Sequence, residues 1–588
     1  MQVDADNQTL VKRPWLILAV LCLPVFIGSL DLTIVSAILP EIINQLRLPI
    51  DSKLDDASWM VAAYLLSYTI SMTFMGRLSD MVGRRWVYIL CLLIFMGGSW
   101  FVSIAHTWPT DLYLDIYRQI YPDPDKHIPP PPEMRELYMI IFGRTIQAAG
   151  AGAIVPVTMA IVSDMFPPQR RAKPLGLVGA IDTSGWVLGH LYGGVMVKLF
   201  ADYGEDIANT LADIGLTVSV PSWRTLFVLN LPFSVIALLG ALLALRGERF
   251  RKPHDTSGRF DIVGIALISM ALIGLSVGIN GLSPASAFGS EAIDLTDNAV
   301  NNGPADYMYP LLVTALIAFC AFIAWEKYYR YPLIDLNLFL RRNYSASGFT
   351  NFCVGFVLAL GLVSVPLVIN LRADTTEDNG VQTAALLAGI VLSGLTIPMA
   401  LAAVPGGWLS DRFGYRYVTV GGMGLATLGF ILCSLTWNVD IPEWVMALEM
   451  AIIGVGLGFT VSPVSTAIIN EVDDDERGVS AALVLILRLI GMTLAIPGMT
   501  AYALYRVEQR ISALGTFEEV TARQEAYLIA TFDQINELFV IGAIISFLAL
   551  LSALYLHGGK VNLETITKAQ KPSPKRKFSP LLKPRSNP

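Results

Sequence analysis

The sequence predicts an all-α polytopic membrane protein of about fourteen spanning helices, and three observations carry that prediction. Only 15% of its 588 residues are charged and 54% are hydrophobic, whereas soluble domains carry roughly 25% charged residues. Apolar runs of about 20 residues, the length of helix that crosses a hydrocarbon layer, recur along the whole chain. The segment Gly76-Arg77-Leu78-Ser79-Asp80-Met81-Val82-Gly83-Arg84-Arg85 returns as Gly407-Trp408-Leu409-Ser410-Asp411-Arg412-Phe413-Gly414-Tyr415-Arg416. Both copies read G-x-L-S-D-x-x-G followed by basic residues, which marks two related halves, each with a short polar turn at a membrane surface.

Taken in order, residues 1–14 form a polar terminus. The apolar run from Trp15 to Leu39 is too long for a signal-peptide core, so it is expected as the first span. Candidate spans follow at 15–38, 58–76, 86–105, 136–160, 175–199 and 224–245, an N-terminal six-span bundle over 15–245. A linker over 246–343 carries two more, at 261–282 and 309–328. A C-terminal six-span bundle over 344–557 holds the last six, at 344–370, 384–405, 417–437, 443–467, 479–501 and 537–557. The tail over 558–588 is basic and rich in proline, a composition that favours disorder. It serves as a topological anchor or touches anionic lipid.

Charge then sorts the loops. One set is basic, with Arg84 and Arg85; Arg170, Arg171 and Lys173; Arg246, Arg249, Arg251, Lys252 and Arg259; Lys327, Arg330, Arg341 and Arg342. The other is acidic, with Asp51, Asp55 and Asp56; Asp123 and Asp125; Asp202, Glu205 and Asp206; Glu291, Asp294 and Asp297; Asp374, Glu377 and Asp378. The positive-inside rule places the basic set and both termini in the cytoplasm of a cell with this chain in its plasma membrane. The acidic run Asp473-Asp474-Asp475-Glu476 dissents, but acidic residues weigh little in that rule. Two loops of the outer set are long. Residues 106–135, with Tyr121-Pro122-Asp123-Pro124-Asp125 and Pro129 to Pro132, read as stiff and extended. Residues 502–536 read as helical, and either stretch is a plain linker or a docking point for an outer adaptor protein.

The five cysteines, Cys22, Cys91, Cys320, Cys353 and Cys433, lie far apart inside apolar runs. That spacing supports neither a disulfide framework nor a metal site. No phosphate-binding G-x-x-x-x-G-K-[ST] loop is present, so ATP is not the expected energy source. No cofactor and no nucleic-acid partner is expected, and no nucleophile–base constellation points to an enzyme.

Ionisable groups inside membrane spans are costly and usually functional. Asp31 and Arg144 each fall about nine residues from the outer ends of spans 1 and 4. At about 1.5 Å per residue they reach a common depth of roughly 12 Å, where they can face each other. Such a carboxylate can take a proton from one side and release it to the other, or it can be half of a static ion pair. Span 5 carries Asp182 and His190, the latter a titrating group or a hydrogen-bonded packing residue. Gly185, Gly189 and Gly193, with Gly194 adjacent, line one face of that span for close helix packing. Glu449 and Arg488 in the second half differ in depth by about one turn, which allows either a salt bridge or contact with a cavity.

These residues also carry a resemblance to the major facilitator superfamily, in particular its fourteen-span drug:proton antiporter branch, over roughly residues 15–557. Leu30-Asp31-Leu32-Thr33-Ile34-Val35-Ser36-Ala37-Ile38-Leu39-Pro40 resembles the family's L-D-x-T-I-V-x-x-A-L-P. The segment Gly143-Arg144-Thr145-Ile146-Gln147-Ala148-Ala149-Gly150-Ala151-Gly152 is similar to its R-x-x-Q-G-x-G stretch. Gly185-Trp186-Val187-Leu188-Gly189-His190-Leu191-Tyr192-Gly193-Gly194 resembles the antiporter motif G-x-x-x-G-P-x-x-G-G, with His190 in place of its proline. The resemblance implies two six-helix bundles plus two linking spans and a secondary transporter that exports small amphiphilic or cationic compounds by proton antiport and alternating access. It implies proton coupling by Asp31 and Arg144, to which Asp182 and His190 are added here. Gating falls to the turns with Gly76, Asp80, Gly83 and Arg84 and with Gly407, Asp411, Gly414 and Arg416. Two alternatives stand beside it: an exporter of one lipid or metabolite that works with an outer adaptor, and a non-transporting membrane sensor.

Overall fold

A computed structural model of the chain describes residues 14–47, 50–123, 127–166, 172–213, 215, 219–246, 261–280, 306–329, 336–372, 380–471, 477–513 and 520–558. The basic tail, the basic segments around Arg170 and Arg251, and the acidic segments at 291–297, 374–378 and 473–476 lie outside the described residues.

The described residues form an all-α membrane protein. Its helices are α1 Pro14–Gln45, α2 Ile50–Val82, α3 Arg84–Ser103, α4 Trp108–Ile120, α5 Pro132–Met165, α6 Ala172–Asp213, α7 Trp223–Ala244, α8 Ile262–Asn280, α9 Met308–Tyr328, α10 Arg342–Leu371, α11 Gly380–Phe413, α12 Tyr415–Thr436, α13 Glu443–Ile469, α14 Arg477–Ala513 and α15 Val520–Ala553. All but α4 match the fourteen expected spans one for one. Twelve are long and apolar enough to cross a membrane by length and composition. The other two, α2 and α6, carry more polar groups, some of which, such as Thr69, Ser71, Asp182 and His190, are buried inside the bundle. On α2, Ser67 and Ser71 donate to the carbonyls of Thr145 and Ala149 on α5 at 2.7 and 2.6 Å.

Helix packing repeats between the halves. In the first, α1 packs on α6 and α7, and α5 packs on α2 and α3; in the second, α10 packs on α14 and α15, and α13 packs on α11 and α12. The halves meet along two seams, α6 with α11 and α2 with α14. The linking helices α8 and α9 pair with each other, and α8 leans on α14 and α2 beside one seam. Asp261 fixes their corner: its carboxylate accepts from the Gly264 backbone N–H at the start of α8 and from Trp325 Nε1 of α9, both at 2.8 Å. This satisfies an N–H that a helix start leaves unpaired.

Two elements depart from expectation. Part of the 106–135 stretch is the helix α4, and the described residues of the proline-bearing segment after it, 121–123 and 127–131, are non-helical. Each G-x-L-S-D-x-x-G motif is mostly helix rather than turn. The chain is helical through Val82 and Phe413, and it breaks at one residue, Gly83 (φ 107°) or Gly414 (φ 94°). Only glycine adopts such values without strain. Over 502–513 and 520–536 the helical expectation agrees with the structure, 514–519 lying outside the described residues: α14 and α15 are tied by Arg506 and Arg510, which donate to Glu537 at 2.7 and 2.8 Å.

Candidate transport site

The first half holds a fully buried polar cluster at Asp31. Arg144 Nη1 pairs with Asp31 Oδ2, and Arg144 Nη2 donates to the Asp31 carbonyl at 3.2 Å. The same Nη1 donates to Gln147 Oε1 at 2.7 Å, and Gln147 Nε2 passes the chain on to Ser99 Oγ at 2.8 Å. Asn230 Nδ2 donates to the other carboxylate oxygen, Asp31 Oδ1, at 2.7 Å. The Arg144 guanidinium lies 3.9 Å from the centre of the Tyr64 ring, a favourable place for a cation. Helices α1, α2, α3, α5 and α7 thus converge on one ion pair. Close approach of α3 to α5 beside this cluster depends on Gly98, where a side chain would meet the Gln147 backbone nitrogen at 2.3 Å.

A second polar line runs along the contact of α1 with α6. Ser29 donates to Asp182 Oδ1. Thr33 Oγ1 donates to the Trp186 carbonyl at 3.1 Å, and Ser36 Oγ meets His190 Nδ1 at 2.8 Å. The rungs 29, 33 and 36 face the rungs 182, 186 and 190 because both helices place residues three to four apart on one face. Gly185, Gly189 and Gly193 allow that approach, since a side chain at each would collide with the α1 backbone or with Ser29 and Thr33. Gly194 faces the other way, onto the Ala385 carbonyl of α11. The glycine face predicted from the sequence therefore serves both the α1 contact and the seam between halves. Helix α6 has no proline beyond its first turn and runs unbroken through His190.

Glu449 and Arg488 do not meet, contrary to the paired reading. Glu449 accepts from Trp437 Nε1 at 2.9 Å and from Thr436 Oγ1 at 2.8 Å, at the end of α12. Arg488 reaches across the seam instead, its guanidinium 5.5 Å from the Trp186 ring centre and within electrostatic reach of Asp182. Depth along a helix was legible, but which way each side chain turned was not. Among the described residues, Arg144 Nε, His190 Nε2 and Arg488 Nε are buried nitrogens with no protein hydrogen-bond partner. Buried polar groups are normally satisfied, so each of these nitrogens keeps hydrogen-bonding capacity that the protein does not use.

At the two helix breaks, Gly83 and Gly414, the halves differ. Arg84 is buried and pairs with Asp164 of α5, and it lies 3.4 Å from Ser79 Oγ. Its counterpart in the second half is Tyr415, whose hydroxyl accepts from Asn470 Nδ2 at 2.7 Å. Asp411 and Arg416 are exposed, and the Asp80 side chain lies outside the described residues. Gly76 and Gly407 sit inside helices α2 and α11, against Pro156 and Ser462. Asn230 and Asp164 escaped the sequence reading. A neutral amide in the run Phe227-Val228-Leu229-Asn230-Leu231-Pro232 is the signal that was available for the first.

An apolar crevice of about 480 Å³ opens between α10, α14 and α15, with Ile279 of α8 on its wall. Phe349, Phe352, Phe356, Leu494 and Ile541 line it, and Tyr502 supplies its polar edge.

Two pseudo-equivalent helix bundles joined by a linking pair, with an ion pair buried in the first, define a membrane transporter. The Major Facilitator Superfamily model matches residues 21–496 and again 348–587, and the chain belongs to that family. A triacylglyceride transporter of Mycobacterium tuberculosis (strain ATCC 25618 / H37Rv) is 28% identical over 95% of this chain and 98% of its own. A probable triacylglyceride transporter of Mycobacterium leprae is 28% identical over 92% and 95%. The crystal structure of a D-xylose–proton symporter superposes with TM-score 0.54 at 12% identity, over 91% of this chain and 98% of that one. A bacterial homologue of the human lysosomal transporter Spinster gives 0.51 at 18%, over 90% and 96%. Those two likenesses concern the fold.

Proposed function

We propose that this chain is a secondary transporter of the plasma membrane that moves an acylglycerol-type lipid outward against an inward flow of protons. The apolar crevice carries the reading. Its volume falls in the about 300–1,000 Å³ range of ligand sites, and its lining residues are apolar apart from the Cys353 thiol and the Tyr502 phenol, with no group that is charged at neutral pH. It suits acyl chains better than the cationic compounds expected from the sequence. The nearly full-length similarity to proteins named triacylglyceride transporters supports the same cargo class.

In this reading Asp31 exchanges the proton. Protonation removes the charge that holds Arg144, so the first bundle can repack; rocking of the halves along the α6–α11 and α2–α14 seams then alternates access. Asp182, His190 and Arg488 lie at the α6 seam and sense that movement, and the Gly83 and Gly414 hinges absorb it. An apolar lipid that leaves the membrane needs an acceptor, so an outer adaptor protein belongs to the proposal.

The test uses the purified protein in proteoliposomes with a fluorescent triacylglyceride and an imposed pH gradient, beside a panel of cationic dyes. Lipid movement that follows the gradient and disappears in Asp31→Asn is the expected result. Dye movement without lipid movement would return the multidrug reading, and flux unaffected by the gradient would remove proton coupling.

A further inference from the structure

Helix α4 uses its surface in three arcs. Trp108, Leu112, Ile116 and Ile120 recur every fourth residue and are 49%, 46%, 47% and 63% exposed. Beside them, Tyr113 and Tyr117 stack on each other, and Tyr113 packs on Tyr138 of α5. The third arc, with Asp111, Asp115 and Arg118, is exposed and charged. One side of the helix is therefore docked, one is polar, and the apolar one is uncovered by the chain itself.

The uncovered arc continues a surface that faces lipid. Phe101 of the spanning helix α3 meets the Trp108 ring edge-on, with centres 6.2 Å apart, and meets Phe142 of the spanning helix α5 at 5.6 Å. Trp100 and Phe142 on those spans are 48% and 52% exposed, as much as the stripe. The corner between α3 and α4 is held by Thr107 Oγ1 on the Ile104 carbonyl and Thr110 Oγ1 on the Ala105 carbonyl, at 2.7 and 2.6 Å. Helix α4 is thus fixed at the end of a span, with its apolar arc running on from the apolar belt. Aromatic residues at such ends favour the headgroup level, and an apolar arc flanked by a charged one suits a helix lying in the interface.

We propose that α4 is a membrane-surface helix whose Trp108–Leu112–Ile116–Ile120 stripe beds into the lipid at the boundary between headgroups and acyl chains. The occupant is the bilayer. It holds the end of α3 and α5 at a set depth, opposite the Gly83 hinge.

The experiment places a nitroxide at Ile116→Cys, and separately at Leu112→Cys and Asp111→Cys, with Cys320→Ser removing the exposed thiol among the described residues. Accessibility to oxygen, which partitions into lipid, is compared with accessibility to a water-soluble nickel chelate in proteoliposomes. Positions 116 and 112 are expected to favour oxygen severalfold, and position 111 the chelate. A preference for the chelate at all three would overturn the proposal. So would protection of 116 and 112 from both reagents, because a protein surface would then cover the stripe.

Discussion

Asn230 Nδ2 and Arg144 Nη1 approach opposite oxygens of the Asp31 carboxylate, so that one buried anion has one neutral and one charged donor. The two donors are not equivalent. Asn230→Ala leaves an acceptor of a buried carboxylate unpaired, at a cost of about 1–3 kcal/mol. Arg144→Ala leaves the charge itself uncompensated, which costs about 3–5 kcal/mol. Thermal unfolding in detergent should rank wild type above Asn230→Ala and Asn230→Ala above Arg144→Ala. The double variant Asp31→Asn with Arg144→Gln should recover part of the loss, because both charges leave together. An Arg144→Ala protein as stable as wild type would show that the pair does not support the fold.

Thr33 shapes what a proline at position 190 would do. Proline removes the 190 N–H and so the helical bond to the Trp186 carbonyl, a change that costs about 3 kcal/mol or more in a helix interior. That carbonyl already accepts from Thr33 Oγ1, so it would keep one donor. His190→Pro should therefore cost less than the interior figure, and Thr33→Val should cost about 1 kcal/mol alone. Together they should exceed the sum of the single effects, with a coupling of roughly 0.5–3 kcal/mol as contacting sites show. Strict additivity in a double-mutant cycle would disprove the shared carbonyl.

Glycines in the spans divide by what surrounds them. A side chain at Gly189 would lie 2.0 Å from Thr33 Oγ1 and 2.5 Å from the Leu30 carbonyl, whereas one at Gly421 meets nothing within 4 Å. Gly189→Ala should destabilise by about 1–3 kcal/mol through overpacking and slow transport by prising α1 from α6. Gly421→Ala should be neutral or gain roughly 0.5–1 kcal/mol, as alanine does over glycine in a helix. Melting temperatures of the two proteins, measured side by side, test the contrast; equal effects would contradict the close α1–α6 contact.

The sequence made the vertical layout legible and the azimuthal layout much less so. Spans were readable because hydrocarbon thickness fixes their length, and Asp31 and Arg144 because ionisable groups stand out against apolar runs and share a depth. Asn230 was hidden because an amide carries no charge signal. For Glu449 and Arg488 the sequence left a salt bridge and a cavity contact both open, because depths within about one turn leave their facing undetermined: one turned to Trp437 and the other to Trp186. The glycine face of α6 was readable from its period of four, but only packing showed that Gly194 serves the seam with α11. The polar motif at 76–83 looked like a turn because its charges conceal a helix that ends one residue before Gly83.

That late break separates the two glycines of the motif. Gly76 is helical, and a side chain there would make ordinary contact with Pro156 at 3.5 Å, so Gly76→Ala should change stability little. Gly83 sits at φ 107° and ψ 131° and Gly414 at φ 94° and ψ 158°, a region nearly closed to other residues. Alanine at either should cost about 1–3 kcal/mol, or the backbone must rotate and draw α3 away from α2, or α12 away from α11. In the first half that rotation would also pull Arg84 from Asp164, so Gly83→Ala should cost more than Gly414→Ala, whose neighbour Tyr415 makes only a neutral hydrogen bond. Proteolysis and thermal melts of the three variants decide it: a Gly76→Ala protein as damaged as Gly83→Ala would mean that the whole motif, and not its last residue, forms the hinge.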